Sequence, residues 1–128
     1  EYEAARTAFF KALPLFEQVG DRLGLAHTYR SLGHMELQQK NWQPALDFYN
    51  QALPLARAVQ ARLTQANILI DKGVANFEIG NHEIGMAEVR EAISLYRAVH
   101  DERWAQIAEE RLATLESRWQ ERNPPPVL

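Results

Sequence analysis

The chain repeats itself every 40 residues, and nothing else in it restricts the fold as strongly, because a fixed period of about 20 to 50 residues marks stacked supersecondary units. Leu32-Gly33 returns as Lys72-Gly73. Ala12-Leu13-Pro14-Leu15 returns as Ala52-Leu53-Pro54-Leu55 and again as Ala92-Ile93-Ser94-Leu95, each followed four residues later by Val19, Val59 or Val99. Upstream of these, Ala5, Ala45 and Gly85 align as small residues, and Phe9, Tyr49 and Val89 align as large ones.

Within each copy the apolar residues recur at helical spacing, as in Ala45-Leu46, Tyr49, Ala52-Leu53 and Ala56, or Ala66, Leu69-Ile70, Gly73-Val74 and Phe77. Strand alternation is absent. Gly20-Asp21, Lys40-Asn41, Gly80-Asn81 and His100-Asp101 punctuate the pattern, with Asn or Asp placed to cap the next helix. The spacing predicts six helices, near residues 3–19, 22–39, 42–59, 62–79, 82–99 and 102–121. Pro44 falls in a first turn, where its missing N–H costs little. Pro14 and Pro54 lie inside helices and are expected to bend the last turns. Glycine inside a helix costs about 1 kcal/mol relative to alanine. Gly33 and Gly73 therefore need a compensating close approach of the partner helix, which Ala45 and Ala52 are expected to allow from its side.

Composition narrows the function classes. The apolar fraction of 46% suits a folded chain, and no apolar run is long enough to span a membrane. The absence of cysteine excludes disulfides, thiolate zinc sites and a cysteine nucleophile, and fits a cytoplasmic location. A net charge of −3 with mixed signs supplies no basic stripe for nucleic acid. The chain starts at Glu1 without a methionine or a signal-like stretch, which reads as excision from something longer.

Tyr29, Leu32-Gly33, Leu37, Trp42, Ala45, Tyr49 and Ala52-Leu53 stand at intervals that resemble the tetratricopeptide repeat signature. The second copy departs from it at Lys72, where leucine is usual, and at Gly85, where alanine is usual. The 40-residue period is similar to the long repeats of kinesin light chains and large bacterial signalling proteins, and residues 12–22 resemble cyanobacterial repeat arrays. The resemblance covers about residues 3–115 and implies an all-α fold, a right-handed α-solenoid of antiparallel helix pairs.

This gives residues 1–20 as the second helix of a truncated upstream repeat, 21–60 and 61–100 as full repeats, 101–122 as a C-terminal capping helix and 123–128 as a Pro-rich tail. The last helix carries Trp104, Ile107-Ala108, Leu112 and Leu115 on one face and charge elsewhere, as a cap requires. Asn123-Pro124-Pro125-Pro126 begins an extended segment.

The resemblance further implies that the first helix of each pair lines a concave groove. It nominates His27, Arg30, Ser31, His34 and Gln38, then Asn67, Ile70, Asp71, Val74, Phe77 and Glu78, then Arg111. A solvated charged face is the competing reading, and Leu37 and Phe77 compete as core residues. A groove of this make-up suits a protein or peptide with apolar and acidic side chains. Some family members clamp a C-terminal carboxylate. Arg30 and Arg111 fit two positions of that clamp, but His34, Asp71 and Ile107 occupy others, and Asp71 repels a carboxylate.

His27 and His34 lack the i, i+4 spacing of a helical zinc pair, and no phosphate loop or nucleophile elbow appears, so neither cofactor, metal nor enzyme activity is expected. The expected function is a protein-binding scaffold module of a larger bacterial signalling or regulatory protein. Self-association through the open upstream end is the alternative.

Overall fold

The structure, a computed structural model, describes residues 1–127. It contains α1 (Tyr2–Val19), α2 (Arg22–Gln38), α3 (Trp42–Ala58), α4 (Arg62–Ile79), α5 (His82–Ala98) and α6 (Glu102–Arg122). They pack as sequential antiparallel pairs, each against its chain neighbours, with α2 also touching α4. The all-α repeat architecture and all six helices agree with the sequence pattern, with ends within a residue of the expected ones.

One turn geometry is used five times. Gly20, Lys40, Gln60, Gly80 and His100 all adopt positive φ, once every 20 residues. The residue after each donates its N–H to a carbonyl five back, as in Asp21 to Phe16 at 2.9 Å and Asp101 to Tyr96 at 2.8 Å. This satisfies carbonyls that the ending helix leaves open. The pair Gln60-Ala61 belongs to the series although it carries no turn-forming side chain.

The caps differ from expectation. Asp21 and Asp101 accept hydrogen bonds from the backbone N–H of Gly24 and Trp104. Asn41 and Asn81 make no such bond. Their amides instead donate to Glu36 and Asn76, tying each turn to the helix before it. Pro14 and Pro54 leave their helices continuous, and both face solvent, where a displaced carbonyl is satisfied by water.

The main core runs through α2 to α6, with Tyr49, Phe77, Ile68, Leu69, Val89, Tyr96 and Leu115 almost completely enclosed. Each such side chain contributes about 1.5–3 kcal/mol through the area removed from water. A smaller cluster of Leu13, Leu25 and Leu32 joins α1 to α2. Glycine packing follows the expected purpose, and Ala45 and Ala52 are wholly buried. A methyl group at Gly33 would come within 2.7 Å of the Tyr49 ring, so an aromatic ring occupies the space. At Gly73 the neighbour is the backbone of Gly85, at 2.6 Å from such a methyl.

On α6, Ala105, Ala108 and Leu115 are buried, while Trp104 keeps 43% of its surface and stacks against Tyr96 with ring centroids 6.0 Å apart. Trp119 is partly covered, its ring 4.8 Å from that of His82.

Candidate partner-binding face

The nominated side chains come from α2, α4 and α6. His34 on α2 meets Asp71 on α4, with Nδ1 3.5 Å from Oδ2. The hydrogen bond to Asp71 raises the His34 pKa above the usual imidazole range, and the carboxylate charge adds to it, against opposing effects of burial and of Arg30.

Beneath them lie two tyrosines, of which Tyr49 belongs to the apolar repeat pattern. Tyr49 on α3 is fully enclosed, and no hydrogen bond closes on its hydroxyl. Burial pushes that hydroxyl's pKa well up, and the Asp71 charge raises it further while Arg30 opposes it. Tyr96 on α5 donates to Asn67 Oδ1 at 2.5 Å, and burial pushes its pKa up to about 12. Arg30 also holds its Nε buried without a partner. Arg30, Asp71 and the two hydroxyls thus form one electrostatic group under the α2–α4 face. The available sequence signal was weak: a buried tyrosine needs somewhere for its O–H to point.

The other nominated residues separate by exposure. His27, Gln38 and Arg111 are exposed, whereas Ser31, Asn67, Val74 and Glu78 are partly covered. Ile70, at 6% exposure, and Phe77, at 1%, are core residues and cannot line a groove. Phe77 lies one turn after Gly73, and the Arg118 guanidinium closes over its ring at 4.9 Å. Arg118 also binds Glu78 at 2.5 Å, so that carboxylate is already engaged. Leu37 packs partly buried against the core.

Two concave spaces open between α1 and α2. One, of about 260 Å³, is lined by Phe9, Arg30, Ser31, His34 and Met35. The other, of about 350 Å³, includes Phe9, Phe16, His27 and Ser31 in its wall. Four nominated residues of α2 therefore share a rim with two phenylalanines of α1. No set of three metal-ligating side chains converges among the described residues, and no helix there is long and apolar enough to cross a membrane.

No curated protein matches the chain. Residues 1–58, which hold α1 to α3 and the whole α2-facing wall of these spaces, match the tetratricopeptide repeat family. Over that region, the chain is similar to the tetratricopeptide repeat family.

Proposed function

We propose that the chain is a non-catalytic scaffold module that holds a protein or peptide against α2 and its neighbours. Tetratricopeptide repeats generally mediate protein–protein interactions. The observation that carries the reading is the shared rim of Phe9, Arg30, Ser31 and His34 around an open space, with apolar surface beside a cationic group. Arg30 has no ion pair among the described residues, and the His34 imidazole is half-exposed. A partner bringing a carboxylate to Arg30 and an apolar side chain to Phe9 satisfies both.

The test is crosslinking capture from the source cells, comparing the unaltered chain with the double variant Arg30→Glu, His34→Glu. Both positions are partly or largely exposed, so the helical signal should persist. Specific partners should disappear from the double variant. Undiminished capture of the same partners removes this face from consideration.

Self-association is the second reading, and α1 supports it. Phe9 and Phe16 are partly exposed, whereas their repeat counterparts Tyr49, Val89, Ala56 and Tyr96 are wholly buried beneath a neighbouring helix. A second copy laid on α1 would cover them. Sedimentation over a concentration range decides, since a strictly monomeric chain excludes it.

A further inference from the structure

Two basic groups share one carboxylate at the centre of the α2–α4 face. Arg30 and His34 stand one helical turn apart on α2, in the wall of the space of about 260 Å³ that Phe9 closes from α1. Asp71 reaches them from α4, with its Oδ2 3.5 Å from the His34 Nδ1 and only 13% of its side chain exposed. Arg30 has no carboxylate within 4.0 Å among the described residues, and its Nε is buried without a partner.

The helices packed around His34 add no other ionised group to this set. Asp71 and Arg30 are the two whose charges act on the imidazole. From α1, Phe9 supplies an apolar ring, and Arg6 is turned to Glu36 at 3.8 Å. The Tyr49 hydroxyl of α3 and the Tyr96 hydroxyl of α5 stay neutral, because burial pushes both upward. Glu78, two turns beyond Asp71 on α4, is engaged by Arg118 at 2.5 Å. His27 is exposed two turns before His34 on α2. The net charge of the face therefore turns on one imidazole. While His34 is neutral, Asp71 offsets Arg30. Once His34 is protonated, the imidazolium takes up the charge of Asp71, and one net positive charge is left at Arg30.

We propose that this face is proton-controlled: it takes a glutamate or aspartate side chain of a polypeptide partner at Arg30, and His34, by sharing Asp71 with Arg30, sets how tightly that acid is held. The proposal rests on the reading of the α2–α4 face as a protein-binding surface. Histidine suits the role because its charge changes near physiological pH, and here the hydrogen bond to Asp71 moves that change upward. Binding and protonation are reciprocal, so an acid held at Arg30 must also strengthen the hold of His34 on its proton. The Phe9 ring in the same wall favours an acid with an apolar neighbour.

The probe is the peptide acetyl-Ala-Phe-Glu-Ala-amide, with the glutamine peptide as its neutral control. Nuclear magnetic resonance follows the His34 and His27 imidazoles separately while each peptide is titrated in. The glutamate peptide should bind about threefold more tightly well below the His34 midpoint than well above it, the effect of one added unit charge at a solvated face. The glutamine peptide should bind equally at both. Saturation with the glutamate peptide should raise the His34 midpoint by about 0.5 pH, the counterpart of that threefold ratio. His34→Gln should abolish the difference between the two pH values, and the half-exposed position lets the variant fold, which circular dichroism checks. Asp71→Asn should bind the glutamate peptide more tightly than the unaltered chain above the midpoint, since nothing then offsets Arg30. A merely structural His34–Asp71 contact predicts no such gain. A pH-independent affinity, a dependence that follows the His27 midpoint or survives in His34→Gln, or no binding of the glutamate peptide at either pH would each overturn the proposal. Capture of partners from cells that needs Arg30 but ignores pH would also overturn it, while leaving the binding face itself in place.

Discussion

Gly73 and Gly85 meet backbone to backbone where α4 crosses α5, and a methyl group on Gly73 would stand 2.6 Å from the Gly85 carbonyl oxygen. The glycine that departs from the family pattern at position 85 is therefore the partner of the one that conforms to it at 73. Lys72, the other departure, places its ammonium 3.0 Å from Glu88 on α5. One close helix contact accounts for both.

Gly73→Ala and Gly85→Ala should each destabilise the chain by about 1–3 kcal/mol, because backbone cannot yield as a side chain can. The gain in helix propensity of about 1 kcal/mol only partly offsets this. Urea denaturation of the single variants measures it, and a stabilised Gly85→Ala would contradict the geometry. Each glycine already leaves room for the other only as a pair, so the double variant should be less stable than either single one.

The turn series predicts changes of the opposite sign. Lys40, Gln60 and His100 occupy left-handed backbone at φ 60°, 55° and 61°, where glycine carries no Cβ penalty. Replacing each with glycine should stabilise by up to about 1 kcal/mol. The sites are far apart in the array, so the gains should add. Thermal unfolding of the triple variant against the single ones provides the measurement. Ala at Gly20 or Gly80, which already hold positive φ, should lower the midpoint.

The His34–Asp71 pair predicts a titration with a definite sign. The folded-state pKa of His34 is raised, so its small stabilising contribution is complete below the unfolded value of about 6.5 and is lost as pH rises through the folded value. Nuclear magnetic resonance of the imidazole should report a pKa above that reference. Asp71→Asn removes the hydrogen-bonded carboxylate and leaves burial and Arg30, both of which lower the value. The titration should then move to the acid side of its original midpoint. If it does not move, His34 and Asp71 are not coupled in solution.

Phe77→Ala should cost about 3–5 kcal/mol, the range for removing a buried aromatic ring. Partner capture by this variant would fall because the fold fails, not because a contact is lost. Denaturation compared with Arg30→Glu, where the side chain is only partly covered, separates the two causes.

Much of the architecture was legible because it repeats. The apolar spacing around Tyr49 and Leu69 identified helices, and the recurring Gly20, Lys40, Gly80 and His100 located most of the turns. The turn at Gln60 was bracketed only by the ends of the helices on either side, because its left-handed backbone follows from their geometry and not from its own preference. Site residues were less legible. Helical periodicity puts Arg30, His34, Ile70 and Phe77 on an arc, but the depth of each along that arc depends on where the next helix lies. Arg118 and α5 cover Phe77, and so a groove candidate becomes core.

The sequence by itself determined the unit of structure, since a 40-residue period of apolar, glycine and alanine positions allows only helices that bury their stripes on one another. Tertiary structure alone decided which atoms meet across those stripes. Gly73 found Gly85, His34 found Asp71, and the Tyr49 hydroxyl found no partner. The reason is physical: periodicity fixes the direction of a side chain around its own helix axis, while contacts depend on the separation and crossing of two axes, which packing sets.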